Sequence, residues 1–178
     1  MYLKKAELLA HKIKADLENT EIFTRVEIAG SIRRGCNQVN DIEIVAAPIW
    51  AEITDLFGEQ KWTESSVEAL PNLLDIVGGE KYIKKGDRYK QIILNCGEKL
   101  DLFIVYPPAS WGIIYTIRTG PREFSKKIVT QENYGGYLNN NCFVKNGQLI
   151  HNGQVVEVLE EKDFFDYLTI DYLEPEER

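Results

Sequence analysis

The segment Asp41-Ile42-Glu43-Ile44-Val45-Ala46-Ala47, closed by Pro48, alternates acidic and aliphatic side chains before turning wholly apolar. A period of two is the period of a β-strand, so Asp41 and Glu43 share one face while Ile42 and Ile44 share the other. Two carboxylates that close repel, and in a half-buried site at least one is pushed towards protonation. A divalent cation would remove the conflict, and so would exposure to water. The strand alone leaves both open.

A third acid, Asp101, stands in a second strand from Lys99 to Tyr106 that is otherwise apolar except for Lys99. Upstream, Val26 to Ala29 reads as a short strand entering a Gly30-Ser31 turn, with a helix or loop from Ser31 to Gly35. Leu3, Ala6, Leu9, Ala10, Ile13 and Leu17 recur at helical spacing and predict a first helix from Lys4 to Leu17. Ile49 to Phe57 predicts another helix closed near Gly58, and Pro71 breaks any single helix over Ser66 to Val77. Lys81 to Lys85 and Tyr89 to Leu94 read as strands about Gly86-Asp87.

Pro107-Pro108 ends the second acidic strand and marks a boundary, dividing the chain into 1–108 and 109–178. Beyond it, Ser110 can cap a helix over Trp111 to Ile117, and Gly120-Pro121 breaks and restarts it. Asn146-Gly147 and Asn152-Gly153 are tight-turn pairs, which predict a small meander from Tyr137 to Val158. Asp163 to Leu168 reads as a last short helix. Tyr134, Tyr137 and Phe143 are expected in the core of this second unit, and Trp111 between the two units.

The 178 residues suit one domain, or one with a small appendage. The net charge of −7 argues against a tight, non-specific duplex binder. Residues 157–178, however, hold nine acids against Lys162 and Arg178, while the other 156 residues balance at 19 acids and 19 bases. The acidity is thus a C-terminal feature, and a basic working face elsewhere remains compatible with it. No run is apolar for long enough to span a bilayer, and no secretory core opens the chain. Cys36, Cys96 and Cys142 have no paired ligand spacing and read as reduced thiols. A cytoplasmic monomer without a membrane partner is expected.

Singly, each strand acid is compatible with a solvated edge. Together, three carboxylates offer the oxygen donors that magnesium prefers, with water and substrate phosphates completing the shell. Two ions held by three carboxylates can activate a hydroxyl and stabilise a departing pyrophosphate. The Gly30-Ser31 turn permits close backbone approach, and the Ser31 hydroxyl, backbone N–H groups and an arginine can hold a triphosphate.

Gly30-Ser31-Ile32-Arg33-Arg34-Gly35 followed by Asp41-Ile42-Glu43-Ile44 resembles the nucleotidyltransferase motif in the form used by family X DNA polymerases. The resemblance continues through Lys99-Leu100-Asp101-Leu102, Thr119-Gly120 with Phe124, and the segment from Phe164-Phe165 through Tyr172, Glu174-Pro175 and Arg178. It implies an α+β fold, a palm with a mixed β-sheet and helices on one side followed by a small α/β thumb. Asp41, Glu43 and Asp101 would be the catalytic metal ligands, for magnesium or manganese. Gly30, Ser31, Arg34, Thr119, Gly120 and Arg122 would hold the nucleoside triphosphate. Lys99 would lie near the primer end, and Lys84, Lys85, Arg88, Lys90, Arg118, Arg122, Lys126 and Lys127 are the cations available to grip primer and template or gapped DNA. The family's cis peptide after the glycine predicts a cis Gly120-Pro121 bond. The implied activity is transfer of a deoxynucleotide to a DNA 3′-hydroxyl, plausible in DNA repair; modification of a small molecule, an RNA end or a protein hydroxyl is the alternative, and a non-catalytic nucleotide- or DNA-binding module a third. Glu43 departs from the family's usual aspartate, Ile117-Arg118 from an aromatic pair beside the sugar, and Ser125 from a base-reading asparagine.

Overall fold

A computed structural model of the chain describes residues 1–49, 52–54, 60–62 and 72–178, with the backbone alone at 52–54 and 60–62. Helix α1 (Leu3–Glu18) leads to strand β1 (Phe23–Ile28), the short helix α2 (Gly30–Arg33) and β2 (Ile42–Pro48). The hairpin β3 (Glu52–Thr54) and β4 (Gln60–Trp62) precedes α3 (Leu73–Val77), β5 (Gly79–Lys85), β6 (Tyr89–Leu94) and β7 (Lys99–Ile104). Then come α4 (Trp111–Thr119), α5 (Arg122–Ile128), the strands β8 (Cys142–Lys145), β9 (Gln148–His151) and β10 (Gln154–Val156), and α6 (Glu161–Leu168).

Five strands form a mixed sheet in the order β1-β2-β7-β6-β5, with β2 and β7 parallel and the other neighbours antiparallel. The alternation of the sequence decides what each face does. Ile42, Ile44, Ala46, Leu100, Leu102, Ile104, Ile92 and Leu94 point to one side, where Ala6, Ala10, Ile13 and Leu17 of α1 and Leu73 and Val77 of α3 cover them. Helices thus lie on one side of this part of the sheet. The alternate residues Glu43, Asp101 and Gln91 are left on the other side, and only its far end is closed, where Val45, Phe103 and Val105 meet Tyr115 of α4. Trp111 and Ala109 pack against this cluster.

A second core belongs to the C-terminal elements: Ile113, Phe124, Ile128, Leu138, Leu149, Val158, Phe164, Phe165 and Leu168. Its three-stranded meander turns at Asn146-Gly147 and Asn152-Gly153, where all four residues take positive φ. That is the geometry of a tight hairpin turn with both central residues left-handed.

Several expectations are corrected. The span Ile49–Phe57 contains strand β3 where a helix is predicted; its residues 50, 51 and 55–57, and those of 66–71, lie outside the described residues. Ser110 stands at the N-cap of α4 with the extended backbone usual there, but its hydroxyl makes no capping bond. The cis bond lies at Pro107-Pro108, not at Gly120-Pro121. Tyr134 is 80 % exposed and Phe143 46 %, so neither is core: Tyr134 ends a 3₁₀ turn on the surface and Phe143 is on the outward face of β8. Lys90 is buried, its ammonium donating to the Gly86 carbonyl at 2.9 Å, and is no part of a surface grip.

Candidate active site

Parallel pairing of β2 with β7 sets Glu43 directly opposite Asp101, and Asp41 stands one residue before β2 on the same side as Glu43. The three acids feel one another. Burial, then the charges of Asp41 and Asp101, push Glu43 up to about 7, while Arg118 and Arg34 pull it back down. Asp41 is raised as well, by burial and by Asp101, with Lys99 opposing. Asp101 is oriented by its neighbours on β6: the Tyr89 hydroxyl and the Gln91 amide both donate to its Oδ1, at 3.0 and 2.9 Å. Gln91 is its cross-strand partner. Burial and that bond push the Tyr89 phenol up to about 12, so it stays a proton donor at neutral pH.

Gly30 follows β1 with φ +61°, and the Glu43 carboxylate lies against its α-carbon where a side chain would otherwise stand. Only glycine meets both demands cheaply. Next to it, the Ser31 hydroxyl is buried with no hydrogen-bond partner among the described residues.

The adjacent arginines diverge. Arg34 donates to the Thr119 carbonyl at 2.5 Å, and Arg33 donates to the Thr119 hydroxyl at 2.5 Å and to Glu161 at 2.6 Å. Arg33 also stacks on Tyr115, its guanidinium 4.0 Å from the ring centroid. Glu161, only 5 % exposed, accepts a second charged bond from Arg178 at 2.7 Å. Burial alone would raise the Glu161 carboxyl, but the bonds from Arg33 and Arg178 outweigh it and hold it low. Thr119 is thus gripped from two sides by the turn that carries the glycine-serine pair.

An open cleft of about 330 Å³ lies beside the acids, lined by Glu43, Arg34, Arg118, Arg122, Ile117, Gly120, Pro121 and Ser125. Among the nucleotide-site candidates, Arg34, Gly120 and Arg122 line it, whereas Thr119 is fully buried behind its wall. The Ser125 hydroxyl is spent on the end of α4, donating to the Ile117 carbonyl at 2.6 Å. Of the candidate DNA contacts, Lys99 is exposed beside Asp41, and Arg88 spans to the Asn146 carbonyl at 3.1 Å. Lys126 lines a separate cleft of about 490 Å³ with Lys127, Tyr134 and Tyr137.

Tyr89, Gln91, Arg33 and Glu161 join the site without standing among the candidates that the sequence offers. The period-two spacing of Tyr89 and Gln91 was a signal that they share a face; nothing local marks Glu161 among its acidic neighbours.

The donor chemistry fits a hard divalent ion, because three carboxylates meet on one face and their mutual repulsion is what such an ion would relieve. Among the described residues no group of three or more His, Cys, Asp or Glu side chains is placed so that it could hold a metal ion by itself. The remaining ligands would have to be substrate oxygens and water, the usual habit of magnesium.

No family profile and no curated protein sequence matches the chain. Among solved structures, the polymerase beta of Leishmania infantum, crystallised as a ternary P/T complex, is similar over 100 % of this chain and 76 % of its own, with a TM-score of 0.74 at 14 % identity. At that identity the likeness is one of fold: the chain has an α+β fold like that of this polymerase beta.

Proposed function

We propose that the protein is a divalent-metal-dependent nucleotidyltransferase that adds deoxynucleoside monophosphates from a triphosphate to a DNA 3′-hydroxyl, releasing pyrophosphate. The observation that carries this reading is the register pairing of Glu43 with Asp101, with Asp41 alongside, next to a left-handed glycine and an arginine-lined cleft. Residues 1–108 would be the palm and 109–178 the thumb, each with its own core.

Asp41, Glu43 and Asp101 would hold magnesium or manganese, which supplies Lewis-acid activation of the hydroxyl and charge neutralisation on the leaving group. The chain's residues do the rest. Arg34 and Arg122 line the cleft as donors for phosphate oxygens, a task that suits the forked guanidinium. Tyr89 and Gln91 both bond Oδ1 of Asp101, and Oδ2 would be the oxygen offered to the ion. Lys99, exposed next to Asp41, would meet a primer phosphate, and Arg88, Lys126 and Lys127 would remain for the rest of the DNA. The ternary P/T complex of the similar polymerase supports DNA as the acceptor.

The test offers the purified protein a gapped duplex, all four deoxynucleoside triphosphates and magnesium or manganese. Extension of the primer is expected, and Asp101→Ala should abolish it while leaving triphosphate binding largely intact; full activity in that variant would falsify the mechanism. The net charge of −7 favours a second reading, transfer to a small molecule, an RNA end or a protein hydroxyl. Labelling of such an acceptor with no extension of any DNA end would replace the first reading by the second.

A further inference from the structure

Arg118, at the C-terminal end of α4, stacks its guanidinium on Phe103 at 4.0 Å from the ring centroid. Phe103 is two residues beyond Asp101 on β7, so both side chains leave the sheet on one face, about 7 Å apart along the strand. Val45, paired with Phe103, is likewise two residues beyond Glu43, paired with Asp101. A guanidinium over Phe103 therefore rests on the acidic face, one step along it from both carboxylates. Glu43 and Arg118 also line the same cleft.

The sheet face presents three carboxylates whose mutual repulsion a nearby cation would offset. Arg118 brings a permanent positive charge there on a flexible stem, held by a ring contact that a small rotation can break. The aromatic pair of the resembling polymerases, whose place Ile117-Arg118 takes, could not supply it.

We infer that Arg118 is a resident counter-cation of the carboxylate face, which neutralises Glu43 and Asp101 while no divalent ion is bound and yields its place when one enters. The inference rests on the metal-dependent reading above and adds its regulation. A guanidinium and a divalent ion on one small face repel, so uptake of the ion carries the cost of displacing or crowding the arginine. A triphosphate relieves that cost, since its oxygens can receive the displaced guanidinium in a cleft already lined by Arg34 and Arg122. Ion and nucleotide would then bind cooperatively, and the ion alone weakly.

The test is calorimetric titration of manganese into the chelator-treated full chain, without nucleotide, for wild type, Arg118→Gln and Arg118→Lys. Arg118→Gln should bind manganese about tenfold more tightly, a difference of about 1.4 kcal/mol at 25 °C, with Arg118→Lys close to wild type. Thermal unfolding in chelator and in manganese verifies folding, and manganese should raise the Tm of Arg118→Gln more than that of wild type. If Arg118→Gln does not fold, Arg118→Met keeps a hydrocarbon stem over Phe103 and serves the same comparison. Equal or weaker manganese affinity in a folded, charge-free variant overturns the counter-cation role and leaves the metal site standing. Absence of manganese uptake in every variant, in a second titration with a nucleoside triphosphate present as well as in the first without it, overturns the metal-dependent reading, and the inference with it.

Discussion

The Glu43 carboxylate fills the space that a β-carbon on Gly30 would need. The contact ties the turn after β1 to the acidic face of β2, so a change in one is felt in the other. Gly30→Ala meets two penalties: a left-handed φ of +61°, worth roughly 1–2 kcal/mol for a residue with a side chain, and eviction of the flexible Glu43 carboxyl. A loss of that size in urea unfolding is expected. Shortening the acid gives the methyl group room, so Gly30→Ala and Glu43→Asp should be non-additive by about 0.5 kcal/mol or more. Strict additivity in the double-mutant cycle would show that the two sites do not touch.

Glu161 should matter far more to stability than its place in an acidic tail implies. Its carboxylate is shared by Arg33 and Arg178, whose side chain has no exposed surface, and removing it would leave two guanidinium groups buried without their partner. Breaking a buried ion pair from one side typically costs about 3–5 kcal/mol. Glu161→Ala is therefore expected to lower unfolding free energy by that order, whereas Glu160→Ala, which loses a more exposed pair with Arg25, should cost under about 1 kcal/mol for the pair itself. Guanidinium denaturation of the two variants side by side measures the contrast.

How much of this was legible beforehand depends on the range of the interaction. The alternation in Asp41–Ala47 and Lys99–Ile104 gives strands, faces and the acids' side of the sheet, because period and face are local properties. Asn146-Gly147 and Asn152-Gly153 announce their turns for the same reason. That Glu43 sits opposite Asp101 is a matter of register between segments far apart in the chain, which periodicity does not specify. Arg33 and Arg34 look equivalent in sequence, yet neighbouring residues on a helical turn point about 100° apart. One therefore turns to the buried Glu161 and the other to the cleft wall. Glu161 went unread because a charged residue is buried only when a partner awaits it, and its partners Arg33 and Arg178 are non-local.

The raised Glu43 carboxyl gives the ion-free protein a pH dependence of definite sign. A carboxyl held at about 7 when folded, above its unfolded value, binds its proton more tightly in the native state. Its contribution is fully present below the unfolded carboxylate range and is lost as pH rises through about 7. In chelator, wild type should lose stability relative to Glu43→Gln between about pH 4.5 and 7, read as the difference in Tm. A wild-type curve that instead gains on Glu43→Gln over this range would mean that the carboxylate is stabilised where it lies.

Tyr89 and Gln91 make the last case, because both donate to the same oxygen of Asp101. Tyr89→Phe removes one donor and keeps the ring that stacks on Phe103 at 5.0 Å. A neutral donor to a charged acceptor contributes about 1.5–3 kcal/mol, but Gln91 remains, so the stability cost should fall at or below the lower end of that range. The larger effect is expected on orientation: with one tether gone, the Asp101 carboxyl rotates more freely and meets an incoming ion less well prepared. Manganese affinity measured by calorimetry should fall several-fold in Tyr89→Phe and further in Tyr89→Phe/Gln91→Leu, with the fold intact by circular dichroism. If affinity rises, the two donors compete with the ion for Asp101, and their part is to restrain the acid until the substrate arrives.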